Sequence, residues 1–78
     1  MKPFDYTVYG IDGYRNNGPQ SLHIARQGMK AVIKQVALMK VNGYHDIFVT
    51  ISTDVPIDKN KLEKEVNRLK KLKKIPMI

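Results

Sequence analysis

Few side chains in this sequence can do covalent or acid–base chemistry. Two histidines, His23 and His45, and seven carboxylates are the candidates, and there is no cysteine. Catalysis needs a nucleophile, an acid–base pair or a metal within mutual reach, and nothing in the spacing places His23 beside His45. His45 precedes Asp46 in a stretch that reads as a strand, where adjacent side chains point to opposite faces, so this pair makes a poor dyad. Asp5, Asp12, Asp46, Asp54 and Asp58 fall in or beside strands and turns, where aspartate is common for its local hydrogen bonds. Asp54 and Asp58 flank Pro56 but lack the alternating ligands, central glycine and distal glutamate of a calcium loop. Without cysteine, disulfides and thiolate metal sites are excluded. Gly10, Gly13 and Gly18 stand where phosphate loops occur, yet neither GxGxxG nor GxxxxGK[ST] is present. The expectation is a non-enzyme with no metal and no cofactor.

The remaining chemistry is electrostatic. Fourteen lysines and arginines oppose the seven acids, for a net charge of +7 and a pI near 9.8. Such a field attracts polyanions, and nucleic acid is the usual partner of a domain whose pI exceeds about 9. Arg26, Lys30 and Lys34 are spaced four apart, and on a helix they form one row with steps of about 6 Å. His23 and Gln27 border that row, which reads either as a track for a phosphate backbone or as a solvated flank. Arg68, Lys70, Lys71, Lys73 and Lys74 form a second group, with no acid after Glu65. Cations near a helix C-terminus gain about 0.3–1 kcal/mol each from the dipole, while like charges at helical spacing repel. The dipole therefore accounts for one or two of the five, and a bound anion accounts for the others.

These groups need elements to hold them. Phe4 to Ile11 alternates with period two and reads as a strand. Phe4, Tyr6 and Val8 supply the core row, which leaves Tyr9 on the opposite row. Asp12-Gly13 then suits a hairpin turn with a short return over Tyr14-Arg15-Asn16, or else an irregular loop broken by Asn16-Asn17-Gly18. A helix is expected from Pro19 to Val41, capped by Asn17, Gly18 or Ser21 and ended by Asn42-Gly43. Its core stripe is Leu22, Ala25, Met29, Val32, Ile33 and Val36. Gly28 sits inside it at a cost of about 1 kcal/mol. Ile24, Gly28, Ala31 and Gln35 share a second, small-residue side, which is either a subunit contact or simply tolerated.

Tyr44 to Thr53 is the clearest strand, with Ile47, Val49 and Ile51 in one row and Phe48 in the other; Asp54-Val55-Pro56 stops it. Asp58 caps a second helix over residues 59–74, with the stripe Leu62, Val66, Leu69 and Leu72, and Pro76 ends it before a Met77-Ile78 tail. The expected architecture is a single α+β or α/β domain, order β-(β)-α-β-α. It is a small two-layer sandwich whose two- to three-stranded sheet is covered on one face by two helices. If the strands joined by the long helix are parallel neighbours, the crossover is right-handed. So small a sheet gains from pairing with a second copy, so a homodimer is expected.

On such a sheet Tyr9 and Phe48 would be open-face rings for stacking or contact, although the RNP1 pattern of RNA-binding sheets is absent. Tyr6, Tyr14 and Tyr44 equally suit a protein contact. Three functions fit. One is a small basic protein that binds nucleic acid or a nucleoprotein through Lys and Arg on both helices. Another is a phage-type inhibitor or adaptor that docks on an acidic or nucleic-acid-binding surface of a larger host enzyme. The third is a structural subunit of an anionic complex such as a ribosome. No basic-then-apolar leader opens the sequence and no apolar run approaches a membrane span, so a cytoplasmic protein without membrane contact is expected.

Overall fold

A computed structural model describes residues 5–15, 20–51 and 56–76. The elements run β1 (Val8–Arg15), β2 (Gln20–Gln27), α1 (Met29–Val41), β3 (Tyr44–Thr50) and α2 (Lys59–Lys70). The sheet order is β2-β1-β3, with β1 antiparallel to both neighbours. β2 and β3 are therefore parallel to each other, and α1 carries the chain from one sheet edge to the other. This is a small α+β domain in the order β-β-α-β-α, but its second strand is Gln20–Gln27 and not the short return expected over Tyr14-Arg15-Asn16, since Tyr14 and Arg15 belong to β1. α1 packs against all three strands, and α2 packs against α1.

The register assigns the faces. Tyr9, Ile11 and Gly13 of β1 point toward α1, where Tyr9 and Ile11 join Val32, Val36, Met39 and Val49 in the core. Directly paired residues share a face, so Leu22, Ile24 and Arg26 of β2 lie on this side, opposite Gly13, Ile11 and Tyr9. Val8, Gly10, Asp12 and Tyr14 occupy the uncovered face with Ser21, His23, Ala25, Gln27, Phe48 and Thr50.

Several expected boundaries move, and each has a physical cause. Asp12-Gly13 is no turn. It lies within β1, whose Arg15 pairs with Gln20. A Cβ at Gly13 would stand 2.6 Å from Met39 Cε and 3.1 Å from Ile47 Cγ1, so a larger residue there would displace these side chains. Residues 20–27 form β2 and not the start of a helix. Leu22 and Ile24 share a period of two but fall on different sides of the expected helix, and pairing with β1 selects the strand. Ala25 of the expected helical stripe is accordingly exposed.

α1 begins after Gly28, whose φ of 87° and ψ of 140° suit a residue without a Cβ. Its cap comes from far away in sequence: the Asp5 carboxylate accepts from the Met29 N–H at 3.0 Å, the Thr7 N–H at 3.0 Å and the Tyr9 hydroxyl at 3.2 Å. The Ile24, Gly28, Ala31 and Gln35 grouping is thus no helix face. Gln35 is buried, and its Nε2 is the one buried side-chain polar atom without a partner among the described residues.

The core row of β1 is also the reverse of the expected one. Tyr9 is 8% exposed, whereas Val8 is 58% exposed. The strands that α1 joins, β2 and β3, are parallel but not neighbours, because β1 lies between them. In β3 the alternation slips at a bulge opposite β1, because Asp12 pairs with Phe48 while Tyr14 pairs with His45. Asp46 takes the left-handed conformation there, with φ 51°. β3 ends at Thr50, and Ile51, expected in the core row, is 59% exposed.

α2 ends at Lys70, before the expected Lys74, and Leu72 of its expected stripe is exposed. Asp58 caps α2 as expected, its Oδ1 accepting from the N–H groups of Asn60 and Lys61. The expectations at Phe4, Asn16 to Pro19, Ser52 to Val55 and Met77-Ile78 fall outside the described residues. No helix among the described residues is long and apolar enough to cross a membrane.

Candidate nucleic-acid interface

Charge is divided unevenly over this fold. Eleven of the fourteen lysines and arginines lie on α1, α2 and the segment that follows α2, with only Asp58, Glu63 and Glu65 among them. The described strand regions carry Arg15 and Arg26 against Asp5, Asp12 and Asp46. Among the described residues, Arg68 is the one lysine or arginine in an ion pair. The expected groupings are partly rearranged. Lys30 and Lys34 share a flank of α1, but Arg26 stands on β2, where it donates to the Ala25 carbonyl at 2.7 Å. The row of three is therefore broken at its first member. Arg68 and Lys70 occupy the last turn of α2, Lys71 caps it, and Lys73 and Lys74 lie beyond the helix. The dipole therefore acts on fewer of these five cations than a longer helix would allow.

The α1–α2 seam brings the two groupings together. Glu65, with its side chain only 15% exposed, accepts from Arg68 Nε at 2.9 and 3.0 Å and from an Arg68 terminal nitrogen at 2.6 Å. Those bonds, aided by the charges of Arg68 and Lys34, hold the Glu65 carboxyl below the ordinary carboxylate range despite its partial burial. Lys34 of α1 and Arg68 of α2 thus face one carboxylate. On the other flank of α2, Lys40, Lys59 and Lys70 rim a shallow groove floored by Leu62 and Val66. After α2 the chain folds back, and the Pro76 carbonyl accepts from Asn42 Nδ2 at 2.9 Å.

The two aromatic candidates separate. Tyr9 is buried in the core, its hydroxyl bonded to Asp5, so it offers no ring to a ligand. Phe48 is 43% exposed on the uncovered sheet face, as expected, near the exposed Tyr14. No lysine or arginine shares that face among the described residues. Arg15 points to the other side, with its guanidinium 5.3 Å from the Tyr44 ring centre.

Sequence reasoning missed that both histidines have aspartate partners. His23 Nδ1 lies 2.7 Å from Asp12 Oδ1 across the β1–β2 pair, and His45 Nδ1 lies 2.7 Å from Asp46 Oδ2. The bulge defeats the simple alternation that would have kept His45 and Asp46 apart. Asp12 and His23 become neighbours only through strand pairing, which no local pattern announces. The side chain of His23 is 73% exposed, and no cluster of three potential metal ligands occurs among the described residues. Comparison with family models, curated proteins and solved structures finds no match.

Proposed function

We propose that this chain is a small, basic, non-enzymatic binding protein of the cytoplasm whose helical side holds nucleic acid or a nucleoprotein. The observation that carries this reading is the gathering of eleven cations on the two helices and the segment after α2, where Arg68 alone among the described residues is paired with an acid. Mutual repulsion among them is relieved by phosphates, and release of the phosphates' own counterions drives the association. Affinity then comes chiefly from the phosphate backbone. Fluorescence anisotropy against a labelled duplex at about 50 mM salt tests it. With about five phosphates neutralised, the log–log salt slope is about −4 to −5, and an absence of measurable binding rejects the reading.

A second reading is supported by the uncovered sheet face, where Tyr14 and Phe48 are exposed as neighbours and Val8 is exposed farther along β1. Exposed apolar groups rimmed by polar ones suit a protein contact, as an inhibitor or adaptor that docks on a larger enzyme would need. Pull-down before and after nuclease treatment separates the two, because a partner retained after nuclease favours the protein contact.

A further inference from the structure

α2 has an unusual amount of free circumference for a helix in so small a fold. Its neighbour among the elements is α1 alone, and its shielded residues are Leu62, Glu65, Val66 and Leu69. On the opposite side Asn60, Lys64, Asn67 and Lys71 are all exposed. Their spacing of three and four residues makes them one ridge along the helix. The side-chain amides of Asn60 and Asn67 have no partner among the described residues. Building on the polyanion reading above, we propose that α2 seats in the major groove of duplex DNA, with this ridge toward the base edges and Lys34 and Arg68 beside a phosphate strand.

Size, chemistry and the position of the rings all favour this ligand. A helix about 10–12 Å across fits a B-form major groove about 12 Å wide. Twelve residues of α2 span about 18 Å at 1.5 Å each. Asparagine pairs in bidentate fashion with adenine N6 and N7, and lysine reaches guanine or phosphate. The deep, narrow major groove of A-form RNA does not admit such a helix. Single-strand binders combine cations with stacking rings on one surface. Here the exposed rings of Tyr14 and Phe48 lie on the uncovered sheet face, away from the helices. Glu63, beside Asn60, Lys64 and Asn67, is the one acid at the ridge.

The test is anisotropy with the full chain against duplex DNA, the same sequence as a single strand, and duplex RNA. It is followed by enrichment of binders from a randomised duplex pool. Duplex DNA is expected to bind at least about tenfold tighter than the other two. Asn60→Ala and Asn67→Ala, at exposed positions, are expected to weaken the enriched sequence about tenfold while leaving binding to unrelated duplex unchanged. Lys34→Ala is expected to weaken all duplexes alike and reduce the salt slope by about 1. Equal or tighter binding to single strands or RNA overturns the groove placement, as does enrichment that is indifferent to both asparagines. Failure to bind any of the three removes the polyanion reading itself.

Discussion

On the uncovered side of the sheet, Val8, Tyr14 and Phe48 lie among two histidine–aspartate pairs, while on the helical side eleven lysines and arginines surround three carboxylates. The sheet and α1 hold the fold, since the buried cluster of Tyr9, Ile11, Val32, Val36, Met39 and Val49 is shared between them. α2 adds little to that cluster beyond Leu62 at its margin and carries instead much of the unpaired charge. Repulsion among exposed cations is weakened by solvent and salt, so the helical side tolerates crowding that the core would not. Stability and electrostatics are thus placed on different parts of the chain, and they respond to different substitutions.

The deepest test of this division lies in the core. Ile11 is completely buried, and Ile11→Ala is expected to cost about 2–5 kcal/mol. That is comparable to the roughly 3–5 kcal/mol such a small core supplies, so circular dichroism in urea is expected to show a largely unfolded chain. Gly28→Ala comes next. Its φ of 87° lies where residues with side chains are strained, at about 1–3 kcal/mol, and urea titration is expected to show that loss.

A charge reversal on the helical side acts otherwise. Lys64→Glu with Lys71→Glu, at exposed positions on the side of α2 away from Glu65, is expected to leave the urea midpoint nearly unchanged while lowering duplex affinity and reducing the salt slope by about 1 for each phosphate no longer neutralised. A collapse of stability in that double variant would break the division. On the sheet side, Phe48→Ser is expected to cost about 1 kcal/mol of stability and to leave duplex affinity as it was. Loss of nucleic-acid binding there would move the interface to the opposite face.

Acid titration touches both regions. Hydrogen bonds from the Thr7 and Met29 N–H groups hold the Asp5 carboxyl below its ordinary range, as Arg68 does for Glu65. A carboxyl depressed on folding stabilises fully above its unfolded value, and that contribution is lost as pH falls through the folded one. Stability measured by urea titration is therefore expected to decline as pH drops through the carboxylate range, and less steeply in Asp5→Asn.

Much of the fold was legible. Asp58 as a cap, α2 beginning at Lys59, β3 beginning at Tyr44 and α1 ending near Val41 all follow from local chemistry that the surroundings do not override. The failure at residues 20–27 is instructive, because Leu22 fits a helical stripe with Ala25 and Met29 while its period of two with Ile24 is the one the sheet adopts. The one discordant signal was Gly28, costly inside a helix and well suited to starting one. The candidate site was half legible. Lys30, Lys34, Arg68 and Lys70 were identifiable from spacing, but Lys64, the meeting of Lys34 and Arg68 at Glu65, the burial of Tyr9 and the displacement of Arg26 onto a strand were not.

Composition and local pattern alone decide that this chain is basic, that its cations concentrate in the stretches that become α1, α2 and the segment after it, and that a helix ending near Val41, a strand from Tyr44 and a helix from Lys59 follow one another. Those properties belong to single residues and their near neighbours. Which face of β1 is buried, that Asp5 caps a helix starting 24 residues later, and that both histidines meet aspartates depend on pairing between distant segments. Only the assembled sheet with α1 upon it sets those distances, because side chains remote in sequence acquire neighbours only when the backbone closes.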